Sequence, residues 1–140
     1  MSVLDASVVL KWFVDEKGSN KALSLRKDFR EGKTELILPD LALYEISNAL
    51  RYNPEFGKEE IQVAIKTLVD MDMDIVTPTL PLIKASIELA IEHEITCYDA
   101  TYFALARELE FSLITADEKF FHKLPEDSRN SDQVKLLSDL

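Results

Sequence analysis

Four carboxylates in this chain stand where solubility alone does not explain them: Asp5, Glu45, Asp99 and Asp117. Asp5 closes the short apolar run Val3-Leu4, and Asp117 follows the apolar run Ser112-Leu113-Ile114-Thr115. Glu45 is enclosed by Leu41-Ala42-Leu43-Tyr44 and Ile46, and Asp99 opens the apolar segment Ala100-Thr101-Tyr102-Phe103-Ala104. Each has an ordinary reading when taken singly. Asp5 can cap the helix after it, and Asp99 can complete a capping box begun by Thr96. Thr115 with Glu118 makes the same box and leaves Asp117 a plain first-turn acid, while Glu45 can lie on a solvated helix face. Gathered at one place, however, four like charges repel unless a cation lies among them. An oxygen-only donor set suits Mg²⁺ or Mn²⁺, and such an ion activates water and neutralises phosphate charge.

The elements that must position these acids follow from hydrophobic period. Short continuous apolar runs at Val3-Leu4, Leu36–Pro39, Ile75-Val76 and Ser112–Thr115 read as strands, with a fifth candidate at Val134-Lys135-Leu136. Between them the period is helical. Val8, Val9, Trp12 and Phe13 make one face, and further helices are expected over 19–31, 41–51, 58–70, 80–92, 97–109 and 117–123. Strands alternating with helices predict βαβ units, a mostly parallel sheet of four to five strands and a three-layer α/β/α fold, with the chain 1–140 as one domain. Ligands in such sheets bind beyond the carboxyl ends of the strands. Asp5 and Asp117 fall at that edge, and Glu45 and Asn48, three apart on one helix face, point from a helix that begins there.

Composition removes other classes. One cysteine, Cys97, allows no internal disulfide and no cysteine-rich zinc site, and it reads as a buried small hydrophobe. His93 and His122 have no motif company for a hydrolase triad or a histidine metal site. The longest stretch without charge, Ile75–Ile83, has nine residues, far short of the ~20 needed to span a bilayer. No basic leader precedes the first strand, so a cytoplasmic protein with no membrane role is expected. Gly32-Lys33-Thr34 fails as a phosphate loop, because Lys27 stands where the first glycine is required. A phosphatase of the haloacid dehalogenase type needs a second aspartate two residues after the first, and position 7 is serine. The net charge is −10, from 26 acids against 16 bases. It is uneven, since Lys17, Lys21, Arg26, Lys27, Arg30 and Lys33 are crowded into one segment with only two acids. That stripe is the candidate RNA-contacting surface.

The four acid-bearing segments together resemble the PIN-domain family, and within it the VapC-like toxins of prokaryotic toxin–antitoxin pairs. The resemblance rests on Val3-Leu4-Asp5-Ala6-Ser7, Leu41–Leu50 around Glu45 and Asn48, Cys97-Tyr98-Asp99-Ala100-Thr101-Tyr102, and Leu113–Phe120 around Thr115 and Asp117. It implies a metal-dependent ribonuclease in which Asp5, Glu45, Asp99 and Asp117 hold one or two Mg²⁺ or Mn²⁺ ions. Ser7 and Thr115 match hydroxyl positions that orient the carboxylates, and Asn48 a polar position beside them. The implied reaction is hydrolysis of RNA by in-line attack of water on a phosphodiester. The resemblance further implies a cognate antitoxin seated between the 6–14 and 40–52 helices, and a homodimer using the 58–92 region. Two alternatives are a PIN nuclease of RNA processing and a PIN-like binding module without catalysis; the intact acid quartet argues against the second.

Overall fold

A computed structural model describes residues 1–140. Five strands form one sheet: β1 (Ser2–Leu4), β2 (Leu36–Pro39), β3 (Asp74–Val76), β4 (Ser112–Thr115) and β5 (Val134–Leu136). The order is β3-β2-β1-β4-β5 and every pairing is parallel. The helices are α1 (Ala6–Val9), α2 (Ser19–Arg30), α3 (Leu41–Arg51), α4 (Lys58–Asp70), α5 (Leu80–His93), α6 (Cys97–Leu109), α7 (Glu118–Lys123) and α8 (Glu126–Asn130).

The chain steps outward from β1 to β2 and β3, then returns across the sheet to β4 and β5. Right-handed crossovers place the helices of these two runs on opposite faces, which makes the three layers. The order reverses between β1 and β4, and that is where an open parallel sheet leaves a crevice at its carboxyl edge. The register Leu4↔Ile114 is continued by Asp5 N–H, which donates to Ile114 O at 3.0 Å. Asp5 is thereby delivered beside the end of β4.

The interior strands are buried on both faces, as their unbroken apolar runs require: Val3, Leu4, Leu36, Ile37, Leu38, Leu113 and Ile114 all lie in a core cluster of 30 residues. α6 packs on α5 and on β1, β2 and β4, and Ala100 and Tyr102–Ala106 are buried along it. The helical face expected over Val8–Phe13 is divided. α1 ends at Val9 and a 3-10 turn covers Leu10–Trp12, whose Trp12 Nε1 donates to Ala22 O at 2.7 Å and ties the turn to α2. Gly18, at φ +88°, makes the left-handed turn into α2. α8 was not expected, because Glu126-Asp127-Ser128-Arg129-Asn130 contains no apolar residue from which to read a period. Cys97 also departs from expectation, being exposed. It occupies the first turn of α6, ahead of the buried stretch that begins at Ala100. No helix is long and apolar enough to cross a membrane.

Candidate active site

Asp5 is the fixed point of the site. Its backbone occupies the N-cap position of α1, yet its carboxylate makes no capping bond. Instead Oδ2 accepts from Thr115 Oγ1 at 2.6 Å and from Ser7 Oγ at 2.9 Å. Each hydroxyl is itself oriented by a backbone donor from the segment after β4. Ala116 N–H donates to Ser7 Oγ and Asp117 N–H to Thr115 Oγ1, both at 3.0 Å. Asp5 is only 5% exposed and Thr115 fully buried. These bonds join two strand ends that are 110 residues apart in sequence. They also overturn the capping box expected of Thr115 and Glu118. Asp117 takes the N-cap of α7, its Oδ1 accepting from Phe120 N–H at 3.1 Å.

Glu45 comes from α3 and is half-buried. Its Oε1 accepts from Tyr102 Oη of α6 at 2.6 Å, a short charge-assisted bond. Asp99 is in the first turn of α6, where its N–H donates to Thr96 Oγ1 at 3.0 Å, the bond anticipated for a cap. Asn48 is exposed and shares a shallow cleft with Glu45, Tyr44 and Tyr98.

Charge effects link the acids in pairs: Asp117 acts on Asp5, Asp5 and Asp99 act on Glu45, and Asp5 and Asp117 act on Asp99. Burial pushes the Asp5 carboxyl up, the Thr115 and Ser7 hydroxyls pull it back, and the Asp117 charge pushes it up again. Glu45 is raised by burial, lowered in part by the Tyr102 bond, and raised further by Asp5 and Asp99. Asp99 is pushed up to about 6 by burial and by the charges of Asp5 and Asp117. The Tyr102 hydroxyl is raised as well, by burial and by Glu45. Like charges that raise one another in a half-buried crevice are the condition a divalent cation relieves, and the donors are all oxygen, the chemistry of a hard ion. No three of these side chains stand as a ready-made ligand group; Glu45 is turned onto Tyr102 and Asp117 onto the α7 terminus. The residues fit a divalent cation in charge and donor type.

Tyr102 is the site residue whose partner the sequence does not give. Nothing in the sequence links it to Glu45, 57 positions away. Replacing it with phenylalanine removes a bond that favours the charged form of Glu45, so the Glu45 pKa is expected to rise further in a carboxyl-detected NMR titration. Stability should fall by about 1–3 kcal/mol, because the half-buried Glu45 carboxylate loses its donor while keeping its charge. An unmoved Glu45 titration would show that the bond does not act on the carboxylate.

The expected basic stripe is divided by the fold. α2 runs from the carboxyl edge of the sheet back to the amino edge, where Glu35 O accepts from Ser2 N–H at 3.0 Å. Lys17 and Lys21 therefore lie at the edge that carries the acids, whereas Arg30 and Lys33 lie at the other. Arg26 and Lys27 fall between. Lys27 and Lys33 both pair with Glu31, at 3.9 Å and 2.7 Å. Neither histidine is among the site residues: His93 ends α5 and His122 packs edge-on against Phe121 in α7.

Known proteins share both the sequence pattern and the architecture. Ribonuclease VapC3 of Pyrobaculum aerophilum is 30% identical over 127 residues, covering 88% of this chain and 94% of that protein. A toxin–antitoxin complex from Klebsiella pneumoniae matches in structure with a TM-score of 0.71 at 16% identity, over 98% of this chain and 98% of that one. Mycobacterium tuberculosis VapC20, a sarcin–ricin loop cleaving toxin, matches with a TM-score of 0.70 at 18% identity, over 87% of this chain and 94% of its own. The family model for the PIN domain matches residues 2–126, a span that runs from β1 through α7 and contains all four acids and both hydroxyls that hold Asp5. On that match and the 30% identical relative, the chain belongs to the PIN domain family.

Proposed function

We propose that this protein is a divalent-metal-dependent endoribonuclease, the toxin of a type II toxin–antitoxin pair, acting in the cytoplasm with residues 1–140 as one domain. The observation that carries the catalytic reading is the buried Asp5 carboxylate, held by Thr115 and Ser7 at the β1/β4 switch point, with Asp5, Glu45 and Asp99 each raised by burial and by neighbouring acids. The toxin reading is supported by the 30% identical VapC ribonuclease.

Asp5, Glu45, Asp99 and Asp117 would hold one or two Mg²⁺ or Mn²⁺ ions. When bound, such an ion offsets phosphate charge and acidifies water at neutral pH. The chain's own groups do the rest. Thr115 and Ser7 fix the Asp5 carboxylate through Oδ2 and leave Oδ1 without a side-chain hydrogen bond. Tyr102 donates to Glu45 and favours its charged form, partly offsetting the rise that burial causes. With a pKa of about 6, Asp99 is mostly ionised at neutral pH. Asn48, Tyr44 and Tyr98, the tyrosines 79% and 66% exposed, border Glu45 on the open side, where an RNA base can stack.

A homodimer and an antitoxin are part of this reading. Leu80, Ile83, Ile87 and Ile91 form an exposed apolar stripe along α5, which supports a self-association surface in the 58–92 region. The purified protein is expected to cleave RNA with Mg²⁺ or Mn²⁺, to lose cleavage in EDTA and to regain it when Mn²⁺ is restored. Undiminished cleavage in EDTA would refute the metal assignment. Growth arrest on expression, relieved by co-expressing a small protein encoded next to it, would separate a toxin from an RNA-processing nuclease.

A further inference from the structure

We propose that a basic cleft beside the carboxylates is a second phosphate subsite, which grips the RNA strand one or two nucleotides from the bond that is cut. This rests on the ribonuclease reading and adds where the strand runs. The cleft has a volume of about 400 Å³ and is lined by Lys11, Lys17, Asn20, Lys21, Ala116 and Glu118, among others. That size is within the usual range for a small-ligand site. Ala116 is the wall it shares with the acids, since Ala116 N–H donates to Ser7 Oγ and Ser7 donates to Asp5.

The charges in the cleft are not equal. Lys11 is paired with Glu16 at 3.1 Å. Lys21 Nζ donates to Ser138 O, a neutral partner, so no acid offsets it. Lys17 is exposed and makes no ion pair. Two uncompensated cations thus face the cleft, against one acid, Glu118. The first turn of α2 beside it carries no acid and no side-chain cap. The remaining cations of the segment do not reach this place. Arg30 is twelve residues beyond Gly18, roughly 18 Å along the helix axis. A single strand carries a phosphate at each nucleotide, and Ala116 places the cleft of Lys17 and Lys21 next to the hydroxyl that holds Asp5, so a strand with one phosphate at the acids would present its next ones to this cleft. An acidic peptide is the competing occupant, and the test separates the two.

The experiment measures fluorescence anisotropy of a fluorescein-labelled, mixed-sequence 12-nucleotide single-stranded RNA. The proteins are Asp5→Asn and the doubles that add Lys17→Glu, Lys21→Gln, Glu118→Gln or Arg30→Glu. Lys17→Glu should weaken binding by tenfold or more at low salt, and Lys21→Gln by about threefold. Arg30→Glu should leave it within twofold, and Glu118→Gln should tighten it. The log–log salt slope should fall by about 0.7 for each phosphate that is no longer neutralised. On the otherwise native protein, Lys17→Glu should raise KM for RNA cleavage with kcat within twofold. Binding within twofold of the parent for Lys17→Glu, or an equal loss for Arg30→Glu, overturns the subsite. So does a Lys17→Glu variant that loses a labelled decaglutamate peptide but keeps RNA. RNA binding that depends on Lys17 in a native protein unable to cut any RNA would uphold the cleft and sink the ribonuclease reading instead.

Discussion

Asp5→Asn is expected to lower RNA cleavage by about 10³-fold or more while leaving the protein folded and no less stable. Asp5 is the most buried of the four acids, and both its hydroxyl donors converge on Oδ2. An asparagine in the same rotamer keeps an amide oxygen at that position, so Thr115 and Ser7 stay satisfied. Its NH₂ then replaces Oδ1, putting a donor where an anionic ligand atom is needed. Loss of one directly acting charged group in a preorganised site costs at least as much as the 10²–10³-fold typical of a single oxyanion donor. Stability responds in the opposite direction. Burial raises the Asp5 carboxyl, which means that its charged form is unfavourable in the fold. A neutral isostere removes that penalty and the repulsion from Asp117. Cleavage assays and urea unfolding on the same preparation check both parts. Full activity in Asp5→Asn would remove the carboxylate cluster from the mechanism, and a large loss of stability would show that the buried charge is compensated in the fold.

The contrast between Asp5 and Tyr102 shows what the sequence could reveal about this site. Asp5 was legible because a parallel strand buried on both faces must be a continuous apolar run, and an acid that ends such a run sits at the sheet edge. The same reasoning located β2 and β4. The bond from Tyr102 to Glu45 was illegible, because it depends on how α6 and α3 meet above the sheet, and no local pattern encodes that. Thr115 shows the same limit. As a string, Thr115-Ala116-Asp117-Glu118 is a capping box; in three dimensions β1 lies beside it, and the hydroxyl turns to the buried carboxylate of Asp5. Cys97 stands three residues before Ala100 and so shares its helical face, but α6 is buried only from Ala100 onward. The basic segment read as one stripe in sequence, and the direction of α2 parts it. One end contributes to the cleft at the site, the other pairs with Glu31 at the far edge.

The metal-free protein should lose stability as pH rises from about 4 to about 6, and divalent cations should restore it most strongly above that window. Asp99 carries the argument. Its pKa moves from the ordinary 3.8 to about 6 on folding, so between those values the folded state binds more protons than the unfolded state. Stability then falls with rising pH. The contribution is fully present below the unfolded value and is lost as pH passes through the folded one. Asp5 and Glu45, also raised, act in the same sense. Other carboxylates titrate in this range too, so the quantity to read is the difference between wild type and Asp99→Asn. The variant should be the more stable of the two above pH 6, and the gap should close towards pH 4. A cation bound by the acids competes with these protons, so Mn²⁺ should stabilise wild type more at pH 7.5 than at pH 5. At a concentration 100 times its Kd, mass action gives about 2.7 kcal/mol, or roughly 8 °C in Tm for a domain of this size. The same coupling bears on the net charge of −10. As a bulk number it argues against a polyanionic substrate, but on the proposed reading four of the acids hold one or two divalent ions, and two such ions would cancel their formal charge. RNA would then meet a metal centre and a lysine cleft rather than an acidic surface. Thermal unfolding across pH 4–8 with and without Mn²⁺ decides the matter: a flat difference between wild type and Asp99→Asn, with no response to Mn²⁺, would mean that the acids neither repel one another nor hold an ion.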